Sequence, residues 1–262
     1  MKSPTHETIA AVTQTLHDRF DNLKSLGALP LDFGLAAVVL VLTGCQSPQI
    51  DPPRPQVQTR ESQSAMSPPE ALARLREGNA RFIAGQPKAR NLPAKVRATA
   101  EGQYPFAVIL SCLDSRAPVE LIFDQTIGDV FNARVAGNIL NDDILGSLEF
   151  ACKASGSKLI VVLGHSNCGA VKGAIDNVEL GHLTGLLDRI KPATGSVPDN
   201  IQPRNSSNKD FVQKTAEGNV RLVMLQIREH SPILREMLEH KTIGMTGGMY
   251  ELGSGQVHFF EN

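Results

Sequence analysis

The hydrophobic pattern changes character twice along the chain. Residues 106–111, 130–134 and 159–163 are short runs that are apolar throughout or rich in β-favouring side chains. Such runs predict strands covered on both faces rather than strands with one wet side. Amphipathic stretches such as 142–154 lie between them. Upstream, Ser67-Pro-Pro-Glu70 has the form of a capping box, with Pro68 at the first helical position. Leu72, Leu75, Phe82 and Ile83 then recur at helical spacing up to Gly85. A polar segment, 191–208, predicts a surface loop. Helical patterns follow over 210–228 and 231–240, and two β-like runs, 243–251 and 256–260, are joined by Leu252-Gly-Ser-Gly255. Strands alternating with helices predict an α/β fold with a central, mostly parallel β-sheet flanked by helices. There is no internal repeat.

The pattern before residue 67 is different. Residues 8–26 have some helical character within a polar leader, and 35–42 is an unbroken apolar run of eight residues. A membrane-spanning helix needs about 20 apolar residues, so the run suits the h-region of a signal peptide instead. Leu42-Thr43-Gly44-Cys45 follows directly and resembles a bacterial lipobox, whose cysteine is lipidated and becomes the mature N-terminus. The charges Lys2, Arg19 and Lys24 against Glu7, Asp18, Asp21 and Asp32 are unlike a short, net-positive n-region; a start assigned too far upstream would explain them. Residues 46–66 are rich in Pro, Gln and Ser and almost free of apolar side chains, a composition that predicts a tether. The expected organisation is a leader with a lipoprotein signal over 1–44, a tether over 45–66 and a catalytic domain over 67–262. The protein is then expected to be exported and anchored by Cys45 to a bacterial membrane, periplasmic or at the cell surface, or cytoplasmic if the lipobox is not used.

Composition narrows the function classes. The chain has 262 residues, 41% of them hydrophobic and 20% charged, enough for a sizeable core. Lys plus Arg number 26 against 27 Asp plus Glu, for a net charge of -1. That balance gives no basic field for nucleic acid, and a 5% aromatic content with no Trp weakens a base-stacking role. Four cysteines are too few for a disulfide scaffold, so each needs its own explanation.

Two of the cysteines sit at predicted strand ends. The strand over 106–111 runs into Cys112-Leu113-Asp114-Ser115-Arg116, and the strand over 159–163 runs into Gly164-His165-Ser166-Asn167-Cys168-Gly169. Ligands of open α/β sheets bind beyond the carboxyl ends of strands. Two Cys and one His are the soft and borderline donors of a catalytic zinc site with one open position. The second cluster is not a phosphate loop, because Ala-Val follows Gly169 in place of Lys-Ser/Thr. Cys152, on a helical pattern, reads as a small buried residue, and His182, His230, His240 and His258 read as surface histidines.

Together Cys112-x-Asp114-Ser115-Arg116 and His165-x-x-Cys168-Gly169 resemble the β-class carbonic anhydrases. Glu70-Ala-Leu-x-Arg-Leu-x-x-Gly-Asn79, Gly128-Asp-Val-Phe-Asn-Ala-Arg134 and Leu148-Glu-Phe150 extend the resemblance over about residues 67–262. It implies a zinc lyase, interconverting CO2 and bicarbonate, with one Zn2+ per subunit held by Cys112, His165 and Cys168. Water fills the fourth position and supplies hydroxide to attack CO2. Asp114 is then the catalytic orienter, held by Arg116, or, in a closed state, a fourth metal ligand. Gln103 stands where the constitutively open members carry a substrate-binding Gln, and Ile109 stands where pH-switched members carry Trp, so the open type is expected. Gly169 is expected to let substrate approach the backbone. Phe131 is expected to line the CO2 pocket, often from the partner subunit of a homodimer or higher homo-oligomer. One departure is visible: Arg134-Val-Ala-Gly-Asn138 replaces the commoner Arg-Asn-x-Ala-Asn. A hydrolase of CS2 or COS on this scaffold, and a non-catalytic protein that binds zinc or bicarbonate, are the alternatives the residues leave open.

Overall fold

A computed structural model describes residues 57–261. Five strands form one sheet in the order β2-β1-β3-β4-β5. They are β1 (Ala107–Ser111), β2 (Val130–Arg134), β3 (Leu159–His165), β4 (Gly244–Tyr250) and β5 (Val257–Phe259). The first four pair in parallel and β5 pairs antiparallel with β4. This is the expected α/β architecture.

Residues of β1 and β3 are buried throughout. Their alternate side chains feed two cores. Val108, Leu110, Ile160 and Val162 face one side, and Ala107, Ile109, Leu159 and Val161 face the other. The first face is covered by α8 (Lys209–His230), whose stripe Val212, Ala216, Val220, Val223 and Ile227 repeats at helical spacing. The second is covered by Ala71 and Leu75 of α2 (Pro68–Ile83) and Ile122 of α4 (Val119–Ile122). The capping box of α2 forms as expected: Ser67 N donates to Glu70 Oε2 at 2.7 Å and Glu70 N to Ser67 Oγ at 3.4 Å. β2 is an edge strand, half-buried along its length.

The remaining helices are α1 (Arg60–Ala65), α3 (Leu92–Thr99), α5 (Asp142–Glu149), α6 (Gly169–Ile175), α7 (Gly181–Asp188) and α9 (Pro232–Glu239). A π-helical turn, Phe150–Ala154, continues α5. Part of the expected loop 191–208 is a 3-10 helix, Lys191–Ser196, with Ala193 buried.

Part of the expected tether, residues 60–65, is helical. Thr59 and Ser62 cap α1 reciprocally. Buried Gln63 donates from Nε2 to Pro105 O at 2.7 Å and to Ser155 O at 2.8 Å. A polar composition predicts a tether only while its side chains lack partners; here a glutamine finds two backbone carbonyls at the foot of the sheet. The apolar run 35–42, Cys45 and the tether up to residue 56 lie outside the described residues.

Candidate metal centre

Cys112 follows β1 directly and keeps its alternation, so its side chain lies on the same face as Val108 and Leu110. His165 is the last residue of β3, the strand beside β1. A turn through Ser166 and Asn167 then brings Cys168 to the start of α6. Asn167 takes a positive φ of 56°, a conformation Asn tolerates. One atom of each side chain converges: the Cys112, His165 and Cys168 ligand atoms all lie within 4.8 Å of one another, and all three residues are buried. The two Sγ atoms are 4.0 Å apart.

Backbone and neighbouring side chains orient each group. His165 Nδ1 is 2.9 Å from Ser166 O, which assigns the ring proton to Nδ1 and leaves the Nε2 lone pair facing the thiols. Nε2 is buried and has no hydrogen-bond partner among the described residues. Ser166 is itself strapped to the β4–β5 turn: its Oγ donates to Glu251 Oε1 at 2.8 Å and accepts from Leu252 N at 3.0 Å. Gly137 N donates to Cys112 Sγ at 3.3 Å.

The thiols influence each other. Hydrogen bonding from Cys168 pulls the Cys112 thiol well below its ordinary range, and the Gly137 N–H adds to the effect. The same contact, with burial, pushes Cys168 up. With the two sulfurs 4.0 Å apart, a second thiolate beside the first is disfavoured until a cation neutralises the pair. Two thiolates and a neutral imidazole nitrogen form a donor set for a soft or borderline divalent metal.

Asp114 stands beside this cluster without joining it. Arg116 donates to its Oδ1 from Nε and from the backbone N, both at 2.9 Å, and to Oδ2 from Nη2 at 2.8 Å. This paired contact holds the carboxyl far below the usual carboxylate range. Oδ2 remains 3.9 Å from His165 Nε2. Gly169 is placed as expected, next to the last ligand, and a Cβ added there would meet nothing within 4 Å.

Two expected residues are not brought to the centre within one protomer. Gln103 is exposed and precedes β1, whereas Cys112 follows it. Five strand residues at roughly 3.3 Å each separate the two ends. Phe131 pairs with Val108 in the sheet register, near the start of β1 rather than its end. It stacks edge-on against exposed Phe150, with ring centroids 6.2 Å apart. Cys152 is buried away from the cluster, with its thiol pushed up to about 12 by desolvation.

Other participants escaped sequence reasoning. Arg134, at the end of β2, donates from Nε to Cys112 O at 3.0 Å and from Nη2 to Asp114 O, pinning the loop that carries both residues. The departure at 134–138 also has a reason. Gly137 has φ 67°, and a Cβ there would lie 2.5 Å from Ile190 Cδ1, so glycine suits this packing.

The comparisons with known proteins agree with this centre. A family profile described as carbonic anhydrase matches residues 107–257. Carbonic anhydrase 2 of Mycobacterium tuberculosis is 36% identical over 193 residues, covering 72% of this chain and 91% of that protein. A carbonic anhydrase of Mycolicibacterium smegmatis is 34% identical over 197 residues, covering 73% and 92%. Among solved structures, the β-carbonic anhydrase CafA of Aspergillus fumigatus superposes with a TM-score of 0.59 at 26% identity, covering 73% of this chain and 89% of that one. Tetrameric β-carbonic anhydrases of Sordaria macrospora include a match with a TM-score of 0.57 at 25% identity, covering 70% and 91%. With its Cys-His-Cys cluster at the carboxyl ends of β1 and β3, the chain belongs to the carbonic anhydrase family, in the β class.

Proposed function

We propose that the chain hydrates CO2 reversibly to bicarbonate and a proton, with one zinc ion per subunit held by Cys112, His165 and Cys168 and with Asp114 as the catalytic orienter. The observation that carries this reading is the position of Asp114, gripped by Arg116 beside three converging ligand atoms that await a cation. The Sγ separation of 4.0 Å is close to the ~3.8 Å edge of a tetrahedron built on zinc–sulfur bonds of about 2.3 Å. The orphaned His165 Nε2 supplies the third ligand. Zinc bound there lowers the pKa of water and so supplies a hydroxide nucleophile near neutral pH.

The chain's own residues do the rest. Ionised Asp114 accepts a hydrogen bond from the nucleophile and turns its lone pair toward the carbon of CO2. Arg116 keeps that carboxylate charged and out of the ligand set, which is the open arrangement. Arg134 fixes the loop between Cys112 and Asp114, so ligand and orienter move as one unit. Gly169 leaves room beside the centre for the substrate oxygens.

Gln103 and Phe131 are proposed to act on the neighbouring subunit's centre. A half-buried edge strand β2 and the exposed Phe150 packed on Phe131 support a homodimeric contact there. Membrane anchoring through Cys45 is proposed from the apolar run 35–42 and the Leu42-Thr43-Gly44-Cys45 sequence. A diacylglyceryl mass on a membrane-extracted chain beginning at Cys45 is the expected result, and its absence overturns the anchor. For the reaction, stopped-flow CO2 hydration with parallel zinc analysis tests the reading: activity should follow zinc content. Full zinc occupancy without hydration at any pH contradicts it.

A further inference from the structure

We infer that Asn219 is a positioning residue for the metal centre, fixing the turn at 136–138 whose Gly137 N–H is aimed at the Cys112 sulfur; this rests on the metal reading above. Asn219 lies on α8 and is 1% exposed, in a stripe otherwise formed by Phe211, Val212, Thr215, Ala216, Val220, Val223 and Ile227. A buried primary amide among apolar side chains is costly unless it is hydrogen-bonded. Its Nδ2 donates to Gly137 O at 2.8 Å. The opposite amide orientation would set two carbonyl oxygens against each other, so the donor faces Gly137.

The same residue, Gly137, donates its N–H to Cys112 Sγ at 3.3 Å. One glycine is therefore held on one side by a helix side chain and offers its N–H on the other side to a metal ligand. The turn is anchored at its ends, and Asn219 holds its middle. The φ of Gly137 is 67°, Ile190 closes the space that a side chain would need, and the flanking turn is tied by Val135 N to Ser111 O at 3.1 Å and Asn138 N to Val135 O at 3.0 Å. Asn219 thus acts through Gly137 on the sulfur.

The consequence is electronic as well as geometric. An N–H directed at a thiolate withdraws electron density from it and fixes its direction. Partners of metal ligands typically change metal affinity or activity 10- to 100-fold when removed. Loss of the Asn219 clamp should let the 136–138 turn shift: the Cys112 sulfur, freed of its N–H partner, gives charge to a metal at lower energy and, no longer held in direction, lets the metal go faster.

The test uses the full chain loaded with Co(II), whose thiolate-to-metal charge-transfer band reports on the sulfur, and with zinc, whose release to a chelator is timed. Asn219→Val should move the cobalt band to longer wavelength and speed zinc release about tenfold. Asn219→Leu, close in shape and without any donor for Gly137 O, should shift the band the same way, and serves alone if the valine variant does not fold. Gln63→Ala is the control. Gln63 is also buried and bonds Pro105 O and Ser155 O, partners at the opposite end of the sheet. It should lower the melting temperature and leave band and release rate at wild-type values. An unmoved band and release rate in the Asn219 variants, or an equal shift in Gln63→Ala, overturns the inference. A wild-type chain that shows no charge-transfer band at all overturns the metal reading instead, so the two failures are distinguishable.

Discussion

At the amino ends of the parallel strands, several buried side chains are tied to the protein's own groups. Gln63 bonds Pro105 O and Ser155 O, Ser157 Oγ also bonds Pro105 O, and buried Lys95 pairs with buried Asp129 at 3.3 Å. At the carboxyl ends, His165 Nε2 is buried with no partner among the described residues, and two thiols face each other at 4.0 Å. Each of those groups is nonetheless oriented from behind, His165 by Ser166 O and Cys112 by Gly137 N. Burying an unpaired polar atom costs about 1–3 kcal/mol. At the carboxyl end that cost falls on a ring nitrogen grouped with two sulfurs. The difference locates the chemistry: one end closes the domain, the other holds donors aimed at a cation.

Substitutions can break this contrast, and their expected effects fall in a clear order. His165→Ala removes the one nitrogen donor, so zinc content should drop to background and hydration with it, a loss of about a thousandfold or more by stopped-flow and metal analysis. Asp114→Asn keeps the three ligands but loses the charged acceptor; hydration should fall about a hundredfold with zinc fully retained.

Arg116→Ala acts through Asp114. Arg116 depresses the Asp114 pKa, so in the wild type this carboxylate stays charged well below the ordinary aspartate value of about 3.9. Its loss of charge is confined to stronger acid. Without Arg116 the folded pKa rises toward the ordinary value and protonation begins at higher pH. Activity should drop about tenfold, with the acid limb of the pH profile moved upward. An unchanged acid limb would detach Arg116 from Asp114.

Gln63→Ala probes the other end. It orphans Ser155 O while Ser157 still serves Pro105 O, which should cost about 1–3 kcal/mol. At about 2–4 °C per kcal/mol for a chain of this size, the melting temperature falls by several degrees and kcat stays unchanged. A fall in kcat would couple the two ends.

Much of the centre was legible in the sequence because its signals are local. Uninterrupted apolar runs mark β1 and β3, the capping box marks the start of α2, and the chain itself places Cys112 and His165 where those strands end. The misses depend on tertiary distance or weak periodicity. α6 and α7 are short and rich in glycine, so neither shows a helical stripe. α1 hides in a polar segment, because Gln63 gains its partners 42 and 92 residues away. Arg134 and Asn219 are ordinary residue types, and only the fold sets their amide and guanidinium groups against the loops at the centre. Gln103 lies nine residues before Cys112, but the intervening strand carries the two to opposite ends of the sheet.

A cation-binding end of the sheet, with Asp114 held free of the metal, is proposed to perform CO2 hydration. The most direct measurement is stopped-flow hydration by the zinc-loaded full chain from about pH 7 upward, with zinc quantified in the same samples. Fast turnover already at about pH 7, in proportion to zinc, is the expected result. Turnover absent near neutrality and appearing only at alkaline pH, with zinc occupancy unchanged, would place Asp114 on the metal and contradict it.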